Sequence, residues 1–506
     1  MTARVLLINP SRTYGWGAKG VRLGLPLGLM YVAAVLERAG MAVRIFDCLL
    51  CEETRISEAA GIIHHGVDDD VFRRRLREEA PDIVGVGAPF TAQAANALHA
   101  MTLVRDAAPA AVIVAGGPHF TVTGKDFMAA SGLADYVIAG EGEHALPDLI
   151  RALADGGDLR AVPNLIWRDP QGRVVANPVV PIKDLDELPL PAYHLVDMGL
   201  YFRRIDEGIA TRVRRARSIS MITSRGCPYT CTFCSINLHM GSNWRAHSPE
   251  YTLNHIEHVL TTYDVRHISF EDDNFTFKRS RCLTIVAGLT ERGLKLTWDT
   301  PNGIRADTLN DELLDAMKAS GCVGLIIAAE SGDQTVLDTL VKKKIKLEHL
   351  VHAAKLCFEH ELPLSCFFII GFPGETREQI QRTLDFAFML YSKYDVMPQM
   401  MVATPLYGTE LYDVVVEQKL LVADITPERL AVATQLNGQG LIRTDQFDPE
   451  YLRDAHSRLM SRIRRHRLAR MLGDVRQYPR LAAAVWRRLS GRKQRRAVAP
   501  HQGDHF

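Results

Sequence analysis

The chain contains two successive series of short buried strands that alternate with amphipathic helical runs, and this rhythm limits the fold more than any other feature. In the first series, from residue 4 to about residue 155, each strand is an apolar, β-branched run that ends in glycine or a polar residue. The runs are "RVLLIN", "AVRIFD", "DIVGVG", "AVIVAGG" and "DYVIAGEGE". This alternation predicts an α/β domain with a doubly wound parallel sheet of about five strands, whose ligands would lie at the strand carboxyl ends.

The second series has six strand and helix units with no returning antiparallel strand. Its strands are "SISMITS", "HISFEDD", "LTWDTPN", "VGLIIAAES", "SCFFIIGFPGE" and "MPQMMVATP". Consecutive parallel units of this kind predict an open or partial (β/α)6 barrel, in which the chemistry collects at the carboxyl ends of the strands.

Shifts in composition divide the chain into four parts. Residues 161–215 interrupt the alternation with a hairpin-like stretch, "VPNLIWRDPQGRVVANPVV", and a proline-marked linker, "DLDELPLPAYHL". We therefore predict a first domain over 1–158, a linker with a small hairpin over 159–212, the barrel over 213–435, and a basic helical C-terminal extension over 436–506.

Net charge and cysteine usage exclude several classes of protein. A formal net charge of +1 over 506 residues argues against a protein that binds nucleic acid with its whole surface. Nine scattered cysteines do not form a disulfide framework, and Cys48 and Cys51 are either a redox or metal pair or two ordinary thiols. The opening "MTARVLLINP" is predicted to be a strand, and the longest apolar run is too short to span a bilayer. We expect a protein of the reducing cytoplasm.

Three cysteines, Cys227, Cys231 and Cys234, lie in the segment "CPYTCTFC" just after the first predicted barrel strand. The Cys-x3-Cys-x2-Cys spacing supplies one thiolate fewer than the four that ligate an ordinary [4Fe–4S] cluster. One iron would then stay open for a small bidentate ligand. The alternative is a structural zinc site of three cysteines and one histidine, with His239 or His247 as the fourth ligand.

The segment "CPYTCTFC" resembles the cluster loop of the radical S-adenosylmethionine (SAM) enzymes, including the aromatic residue before the third cysteine. The resemblance implies a [4Fe–4S] cluster on these cysteines, SAM on the open iron, and cleavage of SAM to a 5′-deoxyadenosyl radical. The segments "FEDDNFTF", "AAESGD" and "FIIGFPGET" follow in the family's order and are similar to its SAM-binding segments. By this resemblance the expected SAM contacts are Phe233, Asp272, Asp273, Glu330, Ser331, Gly371 and Gly374.

Several of these residues also have an ordinary structural interpretation. Carboxylates at strand ends can accept hydrogen bonds from an ammonium group, but Asp272 and Asp273 could equally be helix N-caps. Gly371 and Gly374 would let the backbone approach a flat base, or would serve as simple turn residues. Arg305, in "NGIRAD", is predicted to meet a carboxylate of SAM or of the substrate, or else to form a surface ion pair.

A doubly wound sheet before such a barrel resembles the cobalamin-dependent subfamily, and "DIVGVGAPFT", "VAGGPH" and "GEGE" look like its landmarks. The resemblance implies cobalamin at the strand ends, where small residues clear a slot for its nucleotide tail. The Asp-x-His-x-x-Gly motif is missing, so we expect cobalamin without that protein histidine as a ligand. The expected cobalamin contacts are Thr91, Gly116, Gly117, His119, Gly140 and Glu141.

Two other interpretations compete for the first domain. A nucleotide-binding Rossmann domain is disfavoured, because "GVGAPF" lacks the third glycine of that fingerprint. A flavodoxin-like domain without a ligand stays open.

The resemblance implies a radical SAM enzyme that methylates an unactivated carbon of a small-molecule or lipid biosynthetic intermediate. One SAM would supply the methyl group through cobalamin, and a second would supply the radical. The alternative is radical cyclisation or oxidative rearrangement of a tetrapyrrole or terpenoid-lipid substrate with the same cofactors, and a third class is a non-catalytic zinc protein. The expected partners are the substrate and an electron donor such as flavodoxin or ferredoxin, with no nucleic acid.

The C-terminal extension is strongly basic, with apolar residues between the charges. This pattern is typical of a helix lying on an anionic membrane surface, or of an ordinary solvated helix face. A membrane contact would make the cytoplasmic protein peripheral at the inner membrane face. The basic residues are Arg462, Arg464, Arg465, Arg467, Arg470, Arg487, Arg488, Arg492 and Lys493.

Overall fold

The computed structural model describes residues 3–14, 23–59, 61–209, 215–427, 429–430 and 440–473. In chain order, the strands of its N-terminal part are β1 (Arg4–Asn9), β2 (Arg12–Tyr14), β3 (Ala42–Asp47), β4 (Arg55–Ala59), β5 (Ile62–Gly66), β6 (Ile83–Gly87), β7 (Val112–Gly116), β8 (Tyr136–Ile138), β9 (Leu165–Arg168) and β10 (Val174–Ala176). The helices are α1 (Leu27–Arg38), α2 (Asp69–Glu79), α3 (Ala94–Ala107), α4 (Pro118–Ala130), α5 (Gly142–Asp155) and α6 (Met198–Asp206).

Seven of these strands form one sheet in the order β10-β9-β8-β7-β6-β1-β3. The strands β8, β7, β6, β1 and β3 are parallel, and their buried aliphatic side chains form two apolar layers with the helices. The predicted doubly wound sheet of about five parallel strands is therefore confirmed. The expected hairpin also forms, as β9 and β10, but it extends this sheet as two antiparallel edge strands.

A second, three-stranded antiparallel sheet, in the order β2-β5-β4, was not expected from the sequence. Strand β4 is exposed along its whole length. A strand without a buried face lacks the alternation of apolar and polar residues by which strands are recognised.

The C-terminal part contains the strands β11 (Ser218–Met221), β12 (Ser224–Arg225), β13 (Arg245–Ala246), β14 (His267–Phe270), β15 (Thr297–Ile304), β16 (Cys322–Glu330), β17 (Leu364–Ile370) and β18 (Met397–Val402). Its helices are α7 (Ile236–His239), α8 (Pro249–Tyr263), α9 (Arg279–Glu291), α10 (Asp311–Ala319), α11 (Leu347–Glu359), α12 (Arg377–Tyr394), α13 (Glu410–Glu417) and α14 (Pro449–Gly473), with a π-helical turn at Val336–Val341.

Six of these strands form a wholly parallel sheet in the order β11-β14-β15-β16-β17-β18. The partial barrel is confirmed, with β11 and β18 as its two edges. The predicted C-terminal helix is α14, which packs against α12.

Local sequence signals begin and end the barrel helices. The Ser248 hydroxyl accepts the Tyr251 N–H at 3.0 Å to cap α8, and Asp264 ends that helix in the left-handed conformation. Thr376 and Gln379 form a reciprocal capping box at the start of α12.

Residues flanking the first sheet reach into the apolar core of the barrel, so the two sheets are not joined by a loose tether alone. Leu49 and Leu50, just after β3, belong to the same buried cluster as the barrel strands and α6. Tyr193, in the linker, is buried, and its hydroxyl lies 3.0 Å from His255 Nε2 on α8. The linker therefore holds the first sheet against the barrel.

The basic extension lies only partly within the described residues. Arg462 and Arg470 of α14 form ion pairs with Asp385 and Asp395 at 2.5 and 3.0 Å. These exposed pairs favour an ordinary helix face for this part of α14. None of the helices in the described ranges combines the length and apolar character that crossing a bilayer requires. The remaining predicted basic residues, Arg487, Arg488, Arg492 and Lys493, lie outside the described residues.

Candidate active site

The three cysteines lie on a loop, called here the cluster loop (residues 226–244), that leaves the barrel at β12 and returns at β13. Strands β12 and β13 pair with each other and close the loop at its base. Gly226 begins the loop with a φ of +83°, and a Cβ there would lie 2.6 Å from the carbonyl oxygen of Asn243. Only glycine fits this turn without displacing the returning backbone.

The thiols of the cluster loop are half-buried and unpaired. Burial raises the pKa of Cys227, Cys231 and Cys234, to about 12 for Cys234, whereas the nearby Lys343 ammonium opposes this rise at Cys227 and Cys231. A buried thiol loses its proton readily only when a cation takes the proton's place. Three such thiols on one loop therefore fit an iron–sulfur cluster.

The zinc alternative finds no support in the geometry. Within the described ranges, no three cysteine, histidine or acidic side chains converge as the ligands of a single metal ion do. The thiolates of a cubane need not converge, because each binds a different iron atom. His247 is instead stacked on Tyr251, with ring centroids 3.9 Å apart, and its Nδ1 lies 3.3 Å from Asp186 Oδ1.

A buried ion pair lies beside the cysteines at the end of β16. Lys343 Nζ donates to Glu330 Oε1 at 2.8 Å, and both side chains are less than a tenth exposed. Glu330 has a φ of +67° and follows an irregularity in the pairing of β16 with β17. Glu330 and the Cys231 thiolate raise the pKa of Lys343 against the opposing effect of burial. The protein thus holds a fixed positive charge next to Cys231.

Arg305 fixes the segment that carries this lysine. Its guanidinium binds both carboxylate oxygens of Asp307, at 2.9 and 2.6 Å, and donates to the carbonyls of Lys343 and Lys344, each at 3.1 Å. The ring of Tyr229, on the cluster loop, lies 4.0 Å from the guanidinium carbon. The alternative of an ion pair is thus realised with Asp307, but Arg305 is buried and the pair is not a surface one; its contact with a SAM or substrate carboxylate stays a prediction.

The two neighbouring aspartates have different surroundings. Asp272 accepts hydrogen bonds from the Thr223 N–H and hydroxyl, at 3.1 and 2.8 Å, and from the Ser224 hydroxyl at 2.5 Å. It therefore ties the end of β14 to the base of the cluster loop. Neither aspartate caps a helix, because α9 begins at Arg279 with Lys278 as its N-cap.

Of the two aspartates, Asp273 is the one whose negative charge helps to raise the pKa of two cluster-loop cysteines, Cys227 and Cys234. Burial and repulsion from Asp272 raise its pKa to about 7, although the Gly226 N–H opposes this shift. The SAM contacts of both aspartates stay predictions, and the surroundings favour Asp273.

The predicted aromatic contact and the fifth-strand glycines meet at one place. Phe233 packs against Phe372, with ring centroids 5.9 Å apart. Gly371 and Gly374 have φ values of +90° and +86°, as the turn interpretation expects. The Gly371 N–H donates at 2.7 Å to the buried Glu375, which closes the turn. Their contacts with SAM stay predictions.

Ser331 is fully buried in contacts with the protein itself. Its hydroxyl lies 2.9 Å from Thr383 Oγ1 and accepts the Asp333 N–H at 3.1 Å. These bonds hold the turn after β16, and the geometry gives no support to a SAM contact through this hydroxyl.

The carboxyl ends of β6 and β7 form a cradle of small residues. Gly117 has a φ of +95°, and a Cβ there would lie 2.9 Å from the carbonyl oxygen of Ala88, whereas a Cβ on Gly116 would meet nothing closer than 3.8 Å. Gly140, after β8, donates its N–H to Thr121 Oγ1 at 2.8 Å. The cradle suits a ligand that approaches the backbone closely.

The predicted contacts Thr91 and His119 bind each other. Thr91 Oγ1 lies 3.3 Å from His119 Nδ1, and Thr123 Oγ1 lies 3.3 Å from its Nε2. Burial lowers the pKa of His119 to about 4, so the ring is neutral at pH 7. Both ring nitrogens have protein partners, and its contact with a corrin stays a prediction.

Unpartnered polar atoms lie at the end of β3 and on β5. Asp47 Oδ2 and both ring nitrogens of His65 are buried with no hydrogen-bond partner in the described ranges, and Arg12 stands opposite His65 in the β2–β5 pairing. Burial raises the pKa of Asp47 to about 6 and lowers that of His65 to about 4. A ligand with amide donors and acceptors, as cobalamin has, would satisfy such groups. The residues present therefore fit this cofactor.

Glu141 occupies a different environment from the one expected. It is buried, its carboxylate binds Arg225 at 2.7 Å and Arg245 at 2.8 Å, and it accepts the Ile182 N–H at 2.7 Å. Glu143 binds the other guanidinium nitrogen of Arg225 at 2.6 Å. The expected cobalamin contact by Glu141 is therefore not supported, because its carboxylate joins the first sheet to the base of the cluster loop.

The strand-end edge of the first sheet also packs onto the barrel through α4. The rings of His119 and Tyr407 lie 6.5 Å apart, and α4 packs against α7 of the cluster loop. A Cβ on Gly408 would lie 2.8 Å from Val122 Cγ1, so the contact is close. The residues expected to hold two different cofactors thus lie on adjoining edges.

Sequence reasoning missed the charged residues that support the site. Lys343 lies in the run "VKKKIK", which looks like a solvated charged stretch, and Arg225 and Arg245 flank the cysteines without any motif of their own. The glycine in "SRGCPY" was the one available signal, since a glycine before a ligand loop often marks a strained turn.

Comparisons with known proteins agree with this geometry. Residues 221–387 match the Radical SAM superfamily, and residues 18–150 match the B12 binding domain. Uncharacterized methyltransferase PH0819 of Pyrococcus horikoshii is 32% identical over 79% of this chain and 80% of its own length. Cytidylyl-2-hydroxyethylphosphonate methyltransferase of Streptomyces wedmorensis is 31% identical over 76% of this chain and 77% of its own.

A more distant relative and a solved structure complete the comparison. Anaerobic magnesium-protoporphyrin IX monomethyl ester cyclase of Rubrivivax gelatinosus is 26% identical over 76% of this chain and 65% of its own. The radical SAM methyltransferase TsrM of Kitasatospora setae superposes with a TM-score of 0.69 at 19% identity, over 91% of this chain and 89% of its own. This likeness shows that the two chains share a fold.

Proposed function

The chain belongs to the cobalamin-dependent radical SAM enzymes, and on that premise we propose that it methylates an unactivated carbon of a small-molecule or lipid intermediate. Such an enzyme needs a substrate and a reductant, and we propose a flavodoxin or ferredoxin as the electron donor. The free thiols of all nine cysteines suit a reducing compartment such as the cytoplasm.

One observation carries this proposal: the two strand-end edges adjoin each other. Gly117, in the cradle, is the N-cap of α4. Helix α4 in turn packs on the cluster loop and on the turn at Tyr407. Methyl transfer to a carbon radical requires a methyl donor and a radical source that reach the same substrate atom. Adjoining sites support the proposal, because reactants must be brought within about 3–3.5 Å of each other for effective catalysis.

When bound, the cluster with SAM supplies a radical that removes hydrogen from the substrate, and cobalamin supplies the methyl group. Cys227, Cys231 and Cys234 would hold the cluster, and Lys343 keeps a positive charge beside it. The contact of Phe233 with Phe372 places apolar surface on this side of the loop.

A second candidate function is radical cyclisation or oxidative rearrangement with the same cofactors. It is favoured by the similarity to the anaerobic cyclase, which extends over three quarters of this chain. The two methyltransferases are more similar to the chain and match larger shares of their own lengths. We therefore prefer methylation.

The test uses SAM with a deuterated methyl group, a chemical reductant and the anaerobically purified holoenzyme. A methyltransferase forms S-adenosylhomocysteine and places the labelled methyl group on the corrin, even before the substrate is known. A cyclase forms 5′-deoxyadenosine and leaves the corrin unlabelled, which would contradict the proposal. Cys231→Ala should abolish both products while corrin binding persists, and Cys51→Ala, a half-buried thiol outside the cluster loop, is the matched control.

A further inference from the structure

Four charged residues, three of them buried and the fourth, Arg245, largely so, connect the first sheet to the cluster loop. Glu141 and Glu143 lie at the start of α5, directly after the carboxyl end of β8. Arg225 directs one guanidinium nitrogen to each of them, at 2.7 and 2.6 Å, and all three side chains are at most 8% exposed. Arg225 is two residues before Cys227. The Arg225 side chain therefore links the first sheet to the backbone two residues before the first cysteine.

The returning strand of the cluster loop is attached to one of these carboxylates, that of Glu141. Arg245 stands directly opposite Arg225 in the β12–β13 pairing. Like charges in this position repel each other unless an anion bridges them. Glu141 is that bridge, because it binds both guanidinium groups, and Arg245 also donates to the Met240 carbonyl at 2.8 Å inside the loop.

The burial of this network indicates a geometric role more than a gain in stability. Moving paired charges out of water costs about as much as their attraction returns, so an apolar contact would often stabilise the protein equally well. A guanidinium that binds two different carboxylates through two of its nitrogens, as Arg225 does, is however fixed in both position and orientation. Although burial alone would raise it, the pKa of Glu141 is lowered by Arg225 and Arg245, so the carboxylate stays ionised and the bonds persist.

We propose that Glu141, Glu143, Arg225 and Arg245 form a positioning network that sets the separation and orientation of the iron–sulfur cluster relative to the corrin. The inference rests on the proposed function for the two cofactors, but not on methyl transfer itself. As positioning residues, these four contact neither cofactor. They act through the base of the cluster loop on one side and through the β8–α5 turn on the other.

The test compares the wild-type holoenzyme with Glu143→Gln, which keeps the shape of the side chain and removes one charge. The reduced cluster and cob(II)alamin are both paramagnetic, and a nearby cluster speeds the spin relaxation of cob(II)alamin steeply with decreasing distance. The readout is the microwave power that half-saturates the cob(II)alamin signal, with the cluster reduced and oxidised. In Glu143→Gln we expect the enhancement of cob(II)alamin relaxation to be about half that of the wild type or less. The reason is that the variant loosens a geometry that functional sites hold to within about 0.5 Å.

A chemical readout accompanies the magnetic one. Formation of S-adenosylhomocysteine needs the SAM methyl group to reach cobalt, whereas abortive formation of 5′-deoxyadenosine needs only SAM and the cluster. The ratio of the first product to the second should fall by about tenfold in Glu143→Gln, since misplacement of about 1 Å can cost more than that in rate. Glu52→Gln is the matched control, because Glu52 pairs with Arg203 at 3.0 Å on the exposed surface.

Two results would overturn the inference. One is an unchanged relaxation enhancement and product ratio in Glu143→Gln at normal cofactor content. The other is a loss of cofactor and thermal stability in which each loaded molecule keeps the wild-type relaxation, since the network would then be merely structural. If Glu143→Gln does not fold, Arg225→Lys is the second variant, because it keeps the charge but loses the planar guanidinium that binds two carboxylates. It must show the same loss of cob(II)alamin relaxation enhancement. A wild-type enzyme that forms no S-adenosylhomocysteine would contradict the proposed function and leave the magnetic comparison valid.

Discussion

Replacing Lys343 with methionine removes the ammonium group beside Cys231 while keeping the apolar stem of the side chain. The variant leaves the carboxylate of Glu330 buried, because that side chain is 6% exposed and loses its partner at 2.8 Å. Breaking a buried ion pair from one side costs about 3–5 kcal/mol. For a domain of about 150–250 residues, each kcal/mol of lost stability lowers the melting temperature by about 2–4 °C. A loss of 3 kcal/mol therefore corresponds to a fall in melting temperature of about 6–12 °C.

The measurement is thermal unfolding of the anaerobic holoprotein for Lys343→Met, Glu330→Gln and the double variant. The double variant leaves no lone charge, so it should recover at least half of the stability that Lys343→Met loses. The folded protein raises the pKa of Lys343, so the pair's contribution is complete below about pH 10.4, the value of an unfolded lysine, and is lost as the pH rises further. Two results would show that the lone Glu330 charge is not what destabilises Lys343→Met. One is that Lys343→Met and the double variant are destabilised equally, and the other is that Lys343→Met loses less than about 1 kcal/mol.

Three further predictions concern the turns of the site. Gly226→Ala places a Cβ 2.6 Å from the Asn243 carbonyl and should lower the iron content of the purified protein severalfold, with corrin content unchanged as the control. Gly117→Ala places a Cβ 2.9 Å from the Ala88 carbonyl and should do the reverse, lowering corrin binding at normal iron content. Burial raises the pKa of Glu375 to about 7, so the wild type should lose stability as the pH rises from about 5 to 8. Glu375→Gln should remove this slope and be about 1–2 kcal/mol more stable than the wild type at pH 8, and an unchanged slope in urea unfolding would contradict the assignment.

The parallel strands could be predicted because each is a continuous apolar run that must be buried on both faces. The antiparallel sheet of β2, β4 and β5 could not, because an exposed strand such as β4 leaves no apolar pattern to recognise. Whether a strand could be predicted thus depends on whether it is buried. Burial leaves a periodic signal in the sequence, and solvent exposure does not.

Motifs predicted which segments surround the site more reliably than what each side chain does there. A carboxylate at a strand end looks the same in the sequence whether it faces a ligand or a neighbouring backbone N–H. Asp272 accepts a hydrogen bond from Thr223, and Glu141 accepts one from Arg225, which is 84 residues away. Such partners are brought together only by the fold. The lysine opposite Glu330 was equally invisible, because it stands in a run of lysines.

The proposed chemistry requires that the cluster loop hold a [4Fe–4S] cluster with one iron open to SAM. The most direct measurement is iron and labile sulfide analysis of the anaerobically purified protein, with the EPR spectrum of its reduced cluster recorded before and after SAM is added. We predict about four iron and four sulfide per chain and a cluster spectrum that changes when SAM binds. A protein that holds zinc and no sulfide, or a cluster whose spectrum does not change with SAM, would rule out this assignment of the cysteines.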